Sequence, residues 1–253
     1  MPSSFKKIIF LFCFTLFLTN CKKDKYVVTK ITASKISVDS TLNSQTKYTD
    51  VINPYKEKMI TEINTTISYA EKDLVRTDGA LESSLGNLLA DLTYKRANPI
   101  FKKQTGKSID FAMFNYGGIR AGITKGNVTN RNAFELMPFE NMLVVVELNG
   151  NKIIELINYL KEKNTAHPLS KHVELTLYKN SYNLKINNKK FDKKKTYFVL
   201  TSDYLQSGGD NMVFFKNPIQ RISLEYKMRD AIVDYFKSVD TLRSNLDGRF
   251  KRK

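Results

Sequence analysis

Asn115-Tyr116-Gly117-Gly118-Ile119-Arg120 places a side-chain amide, two glycines and a guanidinium within six residues. Paired glycines admit positive φ and let a ligand approach the backbone closely. Successive N–H groups in such a turn form a small anion-binding nest, and Arg120 adds a planar fork suited to phosphate or carboxylate. The same residues also suit an ordinary strand-to-loop turn with a solvated arginine. Two further stretches carry chemistry. Met137-Pro138-Phe139-Glu140-Asn141 offers an aromatic face and an amide, and Asp203-Tyr204-Leu205-Gln206-Ser207-Gly208-Gly209-Asp210 offers a second aromatic and a carboxylate after two glycines.

Taken together the three stretches can recognise a nucleotide. Phe139 and Tyr204 supply faces on which a base stacks, an interaction of about 1–3 kcal/mol per base in nucleic-acid systems. Asp210 can accept hydrogen bonds from ribose hydroxyls, Asn115 can read a base edge or ribose, and Arg120 can hold phosphate. Core packing is the competing reading for each aromatic, and turn-making for Asp210. Other chemistries are thinly supplied. The two cysteines, Cys13 and Cys21, both lie at the N-terminus, so the body has no thiol nucleophile and no cysteine metal site. His167 and His172 are the only histidines and lack metal-ligand spacing.

The elements that must hold these stretches alternate between strands and helices. Ile109, Phe111 and Met113 alternate and predict a strand that ends at Gly117-Gly118. Met142–Leu148 and Tyr197–Leu200 read as buried strands, each beside one of the other stretches, where binding groups are displayed on loops. Helices are predicted over Asp50–Asn64, with Pro54 tolerable only in a first turn, over Glu82–Ala97, from an N-cap at Thr129 through Leu136, over Lys152–Lys163 and over Met228–Phe236. Further strands are predicted over Thr65–Tyr69, around Val173, Leu175 and Leu177, and at Leu184 and Ile186 before the Asn187-Asn188 turn. Tyr26–Val38 reads as extended structure, Thr41–Lys47 as a loop, and the last residues as a basic tail.

A hydrophobic content of 42% argues for a globular chain. The net charge of +16 fits anionic partners: nucleotides, nucleic acid or an anionic membrane face. At the N-terminus Lys6 and Lys7 precede an apolar run from Ile8 to Leu18, the layout of a secretory leader. That run is too short to cross a bilayer core of about 30 Å. It ends in Leu18-Thr19-Asn20-Cys21, which resembles the lipobox of bacterial lipoproteins, and Cys21-Lys22-Lys23-Asp24 resembles those of the Bacteroidetes. Residues 1–20 are therefore expected to be a signal peptide, with lipid on Cys21 holding the chain at the cell envelope, and 21–49 a linker.

The joint pattern resembles the C-terminal domain of the 5′-nucleotidase / UDP-sugar hydrolase family. The resemblance runs over about Asp50 to Phe250 and takes in Glu82-Ser83-Ser84-Leu85-Gly86-Asn87-Leu88 and Leu246-Asp247-Gly248-Arg249. It implies an α/β (α+β) domain with two mixed sheets between helix layers, in a four-layer α/β/β/α arrangement over 50–253. It also implies that Phe139 and Tyr204 sandwich the base, Asp210 binds ribose, Asn115 contacts the nucleoside, Arg120 contacts phosphate and Asn141 joins the substrate pocket, with Gly117, Gly118, Gly208 and Gly209 shaping it. Arg76 stands out of register with an arginine the family often carries near Gly79. Asp203 stands where asparagine is usual, and Asn211-Met212 where glycine and an aromatic are usual.

Full-length members of that family carry a metallophosphatase domain built on Asp-x-His, Gly-Asn-His-Asp/Glu and Gly-His-x-His motifs, none of which occurs here. No catalytic residue, cofactor or metal ligand is assigned within this chain. The expectation is the nucleotide-binding half of a split 5′-nucleotidase, with divalent metals on a separate metallophosphatase chain. The alternatives are a stand-alone nucleotide- or nucleoside-binding lipoprotein and a basic lipoprotein with a vestigial pocket.

Overall fold

The computed structural model describes residues 26–43 and 46–253. The expected signal peptide over 1–20 and the acylation site at Cys21 lie outside the described residues. The chain divides into two units between Thr49 and Asp50. In the first, residues 26–39 belong to no helix or strand, so the loose alternation of Tyr26–Val38 builds no sheet. Helix α1 (Thr46–Asn64) starts earlier than its predicted Asp50, which puts Pro54 in its interior rather than its first turn. No residue of α1 is buried, so water can serve the carbonyl that Pro54 leaves without a donor.

The second unit continues with β1 (Thr66–Ala70), α2 (Ser84–Thr105), β2 (Phe111–Ala112), β3 (Gly126–Thr129), α3 (Asn130–Leu136), β4 (Met142–Asn149), α4 (Gly150–Lys163), β5 (Val173–Leu177), β6 (Tyr182–Ile186), β7 (Lys189–Lys190), β8 (Thr196–Ser202), α5 (Asp203–Gln206), β9 (Gln220–Lys227), α6 (Met228–Lys237), β10 (Thr241–Leu242) and β11 (Phe250–Arg252). They build three sheets, ordered β2-β8-β4-β9, β11-β5-β6-β7 and β10-β1-β3. Each sheet is mixed, with one parallel pair: β2 with β8, β11 with β5, and β10 with β1. The architecture is thus mixed α/β, as the resemblance implied, with a third small sheet added to the two expected.

The β2-β8-β4-β9 sheet carries the core. Val144, Val145 and Val146 are all fully buried, which requires cover on both faces of β4 and explains its unbroken apolar run. The strand before Gly117 behaves similarly. Ala112 and Phe114 are as buried as Phe111 and Met113, so the alternation there marks no solvent face, and only two residues enter the ladder. Helix α2 starts on Ser83, whose Oγ accepts from the Gly86 N–H at 3.0 Å. It continues through Pro99 to a left-handed Gly106, past its predicted end, and packs on α6, β2 and β9. Strand β9 escaped prediction because the ladder with β4 shifts register and Glu225 takes φ 49°, which breaks the two-residue period.

The stretches Glu82–Leu88 and Leu246–Arg249 fasten together. Glu82 accepts from the backbone N–H groups of Asp247 and Gly248, and Asn87 donates to the Asn245 carbonyl. Arg249 is buried and donates both Nη groups to Asp91, Nε and Nη2 to Asp247, and Nη1 to the Leu169 carbonyl. The expected basic tail is therefore a fastened strand, with Phe250 buried opposite Leu175.

Candidate functional site

Strands β2 and β8 run parallel, and β4 runs antiparallel to β8 between β8 and β9. The chain leaving β2, the chain leaving β8 and the chain entering β4 therefore meet at one end of the sheet. This topology collects the three stretches that lie 20 to 90 residues apart in sequence. Asn115, Gly117, Gly118, Arg120, Phe139, Asn141, Tyr204 and Asp210 line one cavity of about 300 Å³. Phe139 and Tyr204 are 40% and 45% exposed, so neither is core, the competing reading for both.

Asp210 is the hub. Its Oδ2 accepts from Asn115 Nδ2 at 2.6 Å and its Oδ1 accepts from the Tyr204 hydroxyl at 3.0 Å. Its φ of 51° is held by Tyr159, whose hydroxyl donates to the Asp210 carbonyl at 2.9 Å. The hydrogen bond to Asp210 raises the Tyr204 phenol above its ordinary value. Burial, followed by the Asp210 charge, pushes Tyr159 up to about 12. Arg120 makes no ion pair among the described residues; its Nη1 reaches the Gly117 carbonyl at 3.3 Å, leaving the guanidinium available to an anion.

The glycines act differently from expectation. Gly117 and Gly118 sit in a short 3-10 turn without positive φ, and a Cβ on Gly118 would meet Asn115 Oδ1 at 2.7 Å and push that amide aside. No nest forms either. The N–H of Tyr116 donates to His167 Nδ1, and those of Gly118, Ile119 and Arg120 to carbonyls of Asn115, Tyr116 and Leu136. The left-handed glycine of the site is Gly208, at φ 97°. Gly208 and Gly209 do not line the cavity but support it, because a Cβ on Gly209 would fall 2.5 Å from the Tyr204 ring.

Several supporting residues were not legible in the sequence. His167 accepts from the Tyr116 N–H at 3.1 Å, which fixes Nδ1 as the acceptor nitrogen. Burial depresses its pKa to about 4, with Asp210 opposing and Lys163 reinforcing the shift, so the ring is neutral at pH 7. Arg76, out of register for a ligand contact, braces the first stretch: it donates to the Tyr116 and Ile119 carbonyls at 3.2 and 2.6 Å and stacks over the Tyr116 ring at 4.4 Å. Asp203 Oδ1 accepts from the N–H groups of Met142 and Tyr204, joining the second stretch to the third. Glu140 pairs with Lys227 and Arg229, which together hold its carboxyl below the usual range, and Arg229 also donates to the Pro138 carbonyl. No local pattern distinguishes such partners, because each lies far away in sequence from the group it supports.

Among the described residues no group of three or more histidine, cysteine, aspartate or glutamate side chains is placed to hold a metal ion. The cavity presents two aromatic faces, two amides, a carboxylate and a guanidinium with no ion pair among the described residues.

Comparison with known proteins agrees with this reading of the fold. Over 244 residues the chain is 26% identical to the trifunctional nucleotide phosphoesterase YfkN of Bacillus subtilis, covering 88% of this chain and 16% of that protein. It is 22% identical to a 5′-nucleotidase of Vibrio parahaemolyticus over 81% of this chain and 36% of the relative. The crystal structure of a 5′-nucleotidase precursor from Thermus thermophilus superposes with a TM-score of 0.65 at 24% identity, over 80% of this chain and 42% of that one. This chain thus spans well under half the length of these relatives. The model for the family described as 5′-nucleotidase, C-terminal domain, matches residues 60–217, and the cavity, its three strands and all ten residues singled out around it fall inside that span. With most of the chain matched, it belongs to the 5′-nucleotidase C-terminal domain family.

Proposed function

We propose that this chain is the nucleotide-binding half of a 5′-nucleotidase, and that a metallophosphatase on a separate chain supplies the hydrolytic metals. The observation that carries the reading is the pairing of two half-exposed aromatics with Asp210, Asn115 and Arg120 around one cavity. An exposed aromatic forgoes burial that stabilises by about 1.5–3 kcal/mol for a Phe-sized side chain, which stacking on a base would restore. In this reading the base lies against Phe139 and Tyr204, a ribose hydroxyl donates to Asp210, and Arg120 holds the phosphate at the open side. Asn115 and Asn141 orient the nucleoside through their amides. Phosphate-ester hydrolysis needs charge neutralisation and an activated water, which bound divalent metals supply; the chain's own part is to bind and orient.

We also place the protein at the bacterial cell envelope, anchored by lipid on Cys21; Leu18-Thr19-Asn20-Cys21 after an apolar run supports this. The test of the split enzyme is reconstitution. An isolated metallophosphatase domain from a relative, loaded with Mn²⁺, is assayed for phosphate release from AMP with and without this chain. Acceleration that Phe139→Ala abolishes is expected. A rate equal to that of the metallophosphatase alone overturns the split-enzyme reading, leaving a stand-alone binding protein if AMP still binds.

A further inference from the structure

A second cavity, of about 530 Å³, opens between α2, the chain before β5, α6 and the chain after β10, and shares no lining residue with the first. Its half-buried lining includes three aromatic rings: Tyr94 stacks on His172 with ring centroids 3.7 Å apart, and Tyr235 lines the same cavity with Lys95 Nζ 5.3 Å from its ring centre. Its exposed lining is cationic. Lys95 and Lys171 have no ion-pair partner among the described residues, and Arg243 spends only Nε on Glu71, at 2.9 Å. The one acidic lining residue, Asp91, is turned to the buried Arg249, a cation it shares with Asp247. Both its oxygens accept from the buried Arg249, and Oδ1 also accepts from the Lys171 N–H at 2.7 Å. The Tyr235 hydroxyl has no hydrogen-bond partner among the described residues, and Tyr235 lines the same cavity. Burial holds His172 below its ordinary pKa, with Asp91 opposing, so it contributes a ring rather than a fourth repelling charge.

We propose that this cavity is a second ligand site, one that takes a small polyphosphate-bearing molecule: Lys95, Lys171 and Arg243 hold its phosphates and the Tyr94–His172 platform packs against its organic part. Cations with donors to spare around aromatic rings repel one another until an anion enters, and a multivalent phosphate satisfies several at once. The site does not depend on the nucleoside reading of the first cavity. Its test is calorimetric titration of inorganic pyrophosphate and of ATP at 150 mM salt, on the wild type and on two doubly substituted proteins of equal charge. Lys95→Ala/Arg243→Ala removes two cations from the cavity, and Lys193→Ala/Lys194→Ala removes two from the turn before β8. The expected result is one pyrophosphate site weakened at least tenfold by the first pair and less than twofold by the second, with ATP binding more tightly than pyrophosphate, through the platform, when the two are compared in a Phe139→Ala/Tyr204→Ala background that disables the first cavity. A Phe139→Ala protein, tested alongside, keeps pyrophosphate affinity. Equal losses in the two double variants, or many weak sites in place of one, would mean diffuse attraction to a basic surface and overturn the proposal.

Discussion

Asp210 is engaged before any ligand arrives. Tyr204 donates to one carboxylate oxygen and Asn115 to the other, so in the proposed binding mode a ribose hydroxyl competes with the Tyr204 hydroxyl for Oδ1. A single hydrogen bond has a net worth of about 0.5–1.5 kcal/mol. Tyr204→Phe, which keeps the ring and removes the competitor, is therefore expected to tighten adenosine binding by about two- to tenfold. Tyr204→Ala, which removes the stacking face as well, is expected to weaken it by tenfold or more; tyrosine fluorescence or calorimetry reads both. His167 gives a pH prediction with a definite sign. Its folded pKa of about 4 lies below the ordinary histidine value of 6.5, so the unfolded chain binds the proton more readily. Its contribution is fully present above pH 6.5 and is lost as pH falls toward 4, by about 3 kcal/mol. Urea unfolding across that range checks it. His167→Gln, whose amide oxygen can still accept from Tyr116, flattens the pH slope, while His172, shifted in the same direction, leaves a residue of it.

At the scale of elements, the site depends on where three strands end and on what supports the loops beyond them. A Cβ at Gly209 collides with the exposed Tyr204 ring, which can swing aside, whereas one at Gly117 meets nothing closer than 3.5 Å. Gly209→Ala should therefore lower adenosine affinity at least tenfold with a stability change under about 1 kcal/mol, and Gly117→Ala should leave stability nearly unchanged; thermal unfolding beside the titration separates the two effects. Arg249 is the opposite case, a structural fastener. Arg249→Ala leaves Asp91 and Asp247 without their cation and is expected to cost about 3–5 kcal/mol of unfolding free energy, with adenosine affinity preserved in whatever protein remains folded. The sequence made these elements unequally legible. The β4 and β8 runs and the α4 stripe show their type through composition and period, and the three binding stretches stand beside them. Strand β9 hid because of its bulge, β11 because Phe250 is its only buried residue, and Arg76, Tyr159 and His167 because their partners are remote in the chain. The stretches around Glu82 and Arg249 are as recognisable as the binding ones, yet they fasten the C-terminal strand to α2 and touch no cavity residue of the site.

On the scale of the whole molecule, the charge of +16 and the first cavity make separable contributions. Attraction of the phosphate to Arg120 and the surrounding basic surface is screened by salt, while stacking of the base is not. Between 50 and 500 mM NaCl, AMP affinity should fall severalfold and adenosine affinity should hold within twofold; a parallel fall of both would assign the binding to charge alone. In the proposed function the space between Phe139 and Tyr204 holds a nucleoside. Calorimetric titration of adenosine into the wild type and into the Phe139→Ala/Tyr204→Ala protein tests it without phosphate, metal or partner. A single site in the wild type and at least a thirtyfold loss in the double variant are expected, from about 1–3 kcal/mol of stacking on each ring. No adenosine binding to the folded wild type, or equal affinity in the two proteins, would contradict it.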